Sequence, residues 1–184
     1  MPGPSTLIDA DIVVAPLPGS PEAIAYRGVL EAFPGPTIVE RDPLTALARA
    51  LAYPRTGFSR LVFGIDPGRA CGGIVVGDSY IVSYFREPCE SVGGRVALLA
   101  SRMPHSSLEV YLGNGPGSGT AASSLIESGI EPLIVDEDGT TRRPPISTLE
   151  SLPRDRDILA ALAIALRGAY GGRVSGKASG RDRL

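Results

Sequence analysis

The stretch Leu61-Val62-Phe63-Gly64-Ile65-Asp66-Pro67-Gly68, followed by Gly72-Gly73-Ile74-Val75-Val76, limits the fold more than any other part of this chain. An apolar run rich in β-branched residues reads as a buried strand, and Pro-Gly turns it sharply into a second one. The carboxylate of Asp66 stands at the end of the first strand. A charge at that place is costly unless a cation or hydrogen-bond donors meet it. Two readings stay open on this feature: Asp66 ligates a metal, or it caps the turn by accepting backbone amides.

The rest of the chain supplies elements around that hairpin. Asp11–Ala15 reads as a short strand, Pro21–Phe33 as a helix ended by Pro34-Gly35-Pro36, Thr37–Glu40 as a strand and Pro43–Ala52 as a helix. Leu61–Asp66, Gly72–Val76 and Tyr80–Phe85 are spaced as an antiparallel meander. Then follow a helix near Ser91–Arg102, a strand at Leu108–Gly113, a helix at Thr120–Ser128, a strand at Pro132–Val135 and a final helix over Arg154–Tyr170. Three strands and then alternating helix and strand describe an α/β mixed sheet flanked by helices. The expected organisation is a βαβα extension over residues 1–58, a main domain over 59–170 and a basic tail over 171–184.

Composition narrows the setting. The 184 residues contain no Gln, one Asn (Asn114) and two Met, a scarcity of labile residues that points to a thermophilic source. No apolar run approaches the roughly 18 residues of a membrane span, and no basic-then-apolar leader opens the chain, so a soluble cytoplasmic protein is expected. The two cysteines, Cys71 and Cys89, have no metal-like spacing and are expected as reduced, packed thiols. His105, the single histidine, has no partner set and reads as a surface loop residue. The net charge of −2 does not advertise nucleic-acid binding, but the Gly/Ser-rich tail is basic and reads as a flexible arm able to touch phosphates.

Three acidic positions fall at the ends of elements: Asp66 after the first strand of the main domain, Asp136-Glu137-Asp138 after Leu133-Ile134-Val135, and Asp155 with Asp157 at the start of the last helix. Strand ends and a helix start converge in a mixed sheet, and a hard divalent cation such as Mg²⁺ or Mn²⁺ takes an all-oxygen cluster of that kind. Each position also has a plainer explanation. Acidic groups at a helix N-terminus are favoured by its dipole, and Asp-Glu-Asp is an ordinary solvated turn. The loop Gly113-Asn114-Gly115-Pro116-Gly117-Ser118-Gly119-Thr120 is Gly-rich but lacks a P-loop lysine.

Taken in order, these segments resemble the ribonuclease H-like nucleases of the RuvC and YqgF groups, which include Holliday junction resolvases. Gly64–Gly68 with Gly72–Val75 is similar to the opening motif, and Val110–Pro116 to the fourth strand and its loop. Val135-Asp136-Glu137 with Thr140-Thr141 resembles the acidic segment of YqgF proteins, and Asp157-Ile158-Leu159-Ala160-Ala161 with Ile164 the last-helix motif. The resemblance implies a ribonuclease H-like domain that hydrolyses phosphodiesters of RNA or branched DNA with Mg²⁺ or Mn²⁺. It implies catalytic roles for Asp66, Glu137 and Asp157, with Asp136 and Asp155 as further metal ligands. Gly68, Asn114, Gly115, Arg142 and Arg143 would contact substrate, and a four-way junction would require a homodimer. The sequence departs from the resolvase pattern at Glu109, which comes early in its strand, and from the YqgF pattern at Asp138. Those departures keep open a catalytically degenerate binding or assembly module.

Overall fold

The computed structural model describes residues 10–136, 155–171 and 174–177. They fall into two compact units, one running to Phe58 and including Arg102–Pro104, the other made of the remainder.

In the first unit, β1 (Val13–Ala15) pairs in parallel with β2 (Thr37–Val39). The predicted helix between them is two short ones, α1 (Pro21–Ala25) and α2 (Arg27–Ala32). Ser20 starts α1 by accepting from the Ala23 amide, and the backbone leaves the helical region at Tyr26, φ −105° and ψ 8°. Tyr26, Gly28 and Val29 all have weak helix propensity, so nothing local holds a continuous helix there. Helix α3 (Pro43–Ala52) begins as expected, with Pro43 in its first turn and the Asp42 carboxylate accepting from the Thr45 amide at 2.8 Å.

The second unit is a six-stranded sheet in the order β5-β4-β3-β6-β7-β8. Strand β3 (Phe58–Asp66) is antiparallel to β4 (Cys71–Gly77), and β4 to β5 (Tyr80–Glu87). After helix α4 (Val92–Arg102) comes β6 (His105–Gly113), the neighbour of β3. His105 therefore opens a strand rather than lying in a loop. Helix α5 (Ser118–Glu127) leads to β7 (Leu133–Val135), parallel to β6. Helix α6 (Arg156–Tyr170) ends at Gly171, whose φ of 107° turns the chain back. Val174–Lys177 then forms β8, antiparallel to β7. This corrects the expectation of a wholly flexible tail. Without β8, the short β7 would present its backbone groups unpaired at the sheet edge. Among the described residues no helix is long and apolar enough to cross a membrane.

Packing follows from strand alternation. Val62, Ile74, Val76, Tyr111 and Val135 form one buried cluster with Ile158, Ala161, Leu162, Ile164 and Ala165 of α6. Leu61, Phe63, Ile65, Val75 and Leu112 alternate to the opposite face and are fully buried as well. The helix lies unusually close to the sheet: a Cβ on Gly64 would stand 2.1 Å from the Ala161 carbonyl oxygen, and one on Gly72 would stand 2.8 Å from the Asp157 carbonyl carbon. Two glycines on neighbouring strands thus decide where α6 begins.

The far end of α6 is held by a polar cluster. Arg60 donates from Nε to Glu109 Oε1 at 2.7 Å, pairs through Nη2 with Oε2, and donates from Nη1 to the Ala169 carbonyl at 3.2 Å. The Tyr111 hydroxyl donates to Glu109 at 2.6 Å. The Arg60 hydrogen bond holds the Glu109 carboxyl below the 4.5 of an unperturbed glutamate. A lowered carboxylate pKa contributes stability above the unfolded value and loses it as pH falls through the folded one. Glu109→Gln is therefore expected to cost about 1 kcal/mol at neutral pH. The difference should fade as unfolding is measured below pH 4.5, and a pH-independent difference would refute the pairing as its cause.

Candidate functional site

Asp66 is the last residue of β3 and pairs across the sheet with Gly72 of β4, which in turn pairs with Arg86 of β5. Directly opposite residues share a face, and Gly64, two positions before Asp66, faces α6. The row Asp66–Gly72–Arg86 therefore lies on the α6 face. The first turn of the helix sits over its middle member, with the Asp157 Cβ 2.9 Å from where a Gly72 Cβ would be. Asp66 and Asp157, far apart in the chain, flank the same glycine.

Sequence reasoning missed the third side chain here. Arg86 forms an ion pair with Asp157, Nη2 2.8 Å from Oδ2, with Nη1 3.6 Å from Asp155 Oδ2. Arg86 is about half exposed, its two carboxylate partners about one third. Asp155 is the N-cap of α6, its Oδ1 accepting from the amides of Asp157 (2.9 Å) and Ile158 (3.4 Å). That is the plain helix-start role, and it leaves one oxygen facing Arg86. Strand alternation could not have aligned Arg86 with Gly72, because the β4–β5 register shifts between Val75 and Val76.

A second polar group stands at the ends of the parallel pair β6 and β7. Asn114 Nδ2 donates to Asp136 Oδ1 at 2.9 Å, and Arg167 Nη1 donates to the Asp136 carbonyl at 2.5 Å. The loop after β6 also reaches the Asp66 turn: a Cβ on Gly117 would meet the Gly68 carbonyl at 3.0 Å. Asn114, Gly115 and Gly68 thus belong to one rim of the sheet. Asp136 sits on that rim two strands from Asp66, a lateral offset of about 10 Å at ordinary strand spacing. Glu109, by contrast, is engaged by Arg60 near the C-terminal end of α6, away from this rim.

The cysteines depart from expectation. Cys71 and Cys89 form a disulfide, Cα–Cα 5.1 Å, rather than two reduced thiols. The hairpin brings them together, since Cys71 opens β4 opposite Glu87, two residues before Cys89. The bridge lies beneath the turn, with Cys89 Sγ 3.9 Å from the Gly68 carbonyl.

Glu137, Arg142 and Arg143, together with Asp138, lie outside the described residues. Among the described residues no group of three or more His, Cys, Asp or Glu side chains is placed to hold a metal ion. An open cleft of about 310 Å³ in the first unit, lined by Ala23, Ile24, Leu30 and Val39 among others, holds none of the site residues. No family model matches the chain, and no curated protein matches it.

Proposed function

We propose that this chain is a metal-dependent nuclease of the ribonuclease H-like kind, acting on structured RNA or branched DNA. The observation that carries the reading is that Asp66, opposite Gly72 in the sheet, and Asp157, packed over Gly72, stand at the rim where β3 ends and α6 begins. The strand order β5-β4-β3-β6-β7, antiparallel on one side and parallel between β6 and β7, supports it.

The donor chemistry suits the group. Asp66 and Asp157 are hard oxygen ligands, which Mg²⁺ and Mn²⁺ prefer. In this reading they hold the ion, and Glu137, which follows Asp136, completes the set. When bound, the ion would supply an activated water and stabilise charge on the leaving 3′ oxygen. The chain's own residues do the positioning. The Gly68 turn lets backbone approach a phosphate closely. Asn114 and Asp136 orient each other on the same rim, two strands away, and Arg142 and Arg143 are the basic residues nearest in sequence to Glu137.

A second reading, a ribonuclease H-like module that binds nucleic acid without cutting it, is favoured by one observation: Asp157 already has a cation, Arg86. Cleavage assays on branched DNA and structured RNA with Mn²⁺ separate the two. Cleavage that disappears in both Asp66→Asn and Asp157→Asn is the expected result. Nucleic-acid binding with no cleavage, or cleavage indifferent to both substitutions, would refute the nuclease reading.

A further inference from the structure

We propose that the face of the first unit formed by α1 and α2 is a dimer interface, occupied by the same face of a second copy of this chain. Ile24 enters the partner's apolar cleft, and Arg27 pairs with the partner's Glu31. The inference rests on the first unit alone and is independent of the carboxylate rim.

Helices α1 and α2 bury no residue, although Ile24, Val29 and Leu30 are apolar. A surface helix ordinarily turns such residues to a core. Parallel strands are ordinarily covered on both faces within larger sheets, yet β1 and β2 form a sheet by themselves, with Val14 and Val39 exposed. The open cleft of about 310 Å³ is lined by Ala15 and Val39 of the strands and by Ala23, Ile24 and Leu30 of the helices. At its lip Ile24 is 64% exposed. An exposed apolar patch with a charged rim marks an interaction site.

Self-complementarity singles out a second copy as the occupant. A two-fold axis sets a surface against itself, so one patch must carry both members of every contact. This patch carries a cleft and a projecting isoleucine, a cation and an anion. Arg27 and Glu31 both line the cleft, one helical turn apart on α2. Their side chains are about three-quarters exposed, and Nε stands 3.9 Å from Oε1, beyond hydrogen-bond range. Neither charge is held within its own helix. Two α2 helices laid antiparallel about the axis bring each Arg27 to the partner's Glu31. The apolar contact supplies affinity, and the two crossed ion pairs fix the register.

Sedimentation of the full chain across micromolar concentrations, at fixed ionic strength, tests this. The unaltered chain should form a dimer that dissociates on dilution. Ile24→Glu should be monomeric throughout with an unchanged circular-dichroism spectrum, because the side chain it replaces is exposed. Arg27→Glu and Glu31→Arg should each weaken the dimer at least about tenfold, since each sets like charges together twice. An equimolar mixture of those two variants should recover the affinity to within about threefold, because every crossed pair is again of opposite sign. Within each variant chain the two charges are alike, so recovery can come only from contact between chains. A monomer at every concentration overturns the proposal, as does a dimer indifferent to Ile24→Glu or a mixture no tighter than its separate components. The nuclease reading stands or falls separately, on the cleavage assays.

Discussion

Gly64→Ala is expected to lower the unfolding free energy by about 3 kcal/mol, the upper end of ordinary overpacking costs. The new methyl would stand 2.1 Å from the Ala161 carbonyl oxygen and 2.7 Å from the Ala165 amide nitrogen. Both are helix backbone, so no rotamer change relieves the contact, and α6 must lift from the sheet. Lifting it opens the cluster of Val62, Ile74 and Leu162. Gly94→Ala is the matched control. It lies in α4 with nothing within 4 Å of the added carbon, and replacing a helical glycine there should stabilise by about 0.5–1 kcal/mol. Guanidinium denaturation of the three chains checks both signs. A Gly64→Ala loss below about 1 kcal/mol would mean that α6 packs less closely than described. The same displacement moves Asp157, so, on the proposed reading of Asp157 as an ion ligand, Gly64→Ala should also weaken any Mn²⁺ binding although it touches no carboxylate.

Reduction of Cys71–Cys89 is expected to cost a similar amount, about 3 kcal/mol, because the bond closes a loop of this size in the unfolded chain. The two cysteines are 18 residues apart. Denaturation with and without a thiol reductant measures the difference on one sequence. Thiol titration of the native and the unfolded chain, without reductant, should find no free cysteine. Identical midpoints in the two conditions, or two titratable thiols after unfolding, would refute the pairing. Because Cys89 lies against the Gly68 carbonyl, reduction should also raise amide hydrogen exchange in the Asp66–Gly68 turn before it affects β6.

Much of the second unit can be read from local pattern. β3, β4 and β5 alternate or run apolar between recognisable turns, and the α6 stripe Asp157, Ala161, Ala165 repeats at helical spacing. Asp66 and Asp157 emerge as candidates before any coordinates because each is an acidic residue at the end of one of these elements. Other features resist such reading because their causes are not local. The helix expected over Pro21–Phe33 breaks at Tyr26, where propensity is weak throughout and small differences decide. Val174–Lys177 looks like linker, and becomes β8 only because β7 offers it an edge. Cys71 and Cys89 carry no spacing signal and meet because a hairpin folds one onto the other.

By itself the chain's pattern determines the antiparallel meander and the acidic ends of β3 and α6, since these depend on side-chain period and turn residues. Tertiary structure alone decides that Arg86 is aligned with Gly72 and Asp66 and that Glu109 is engaged by Arg60 away from the rim. The physical reason is register. A single bulge between Val75 and Val76 changes which β5 residue faces α6, and no periodicity in the sequence records it.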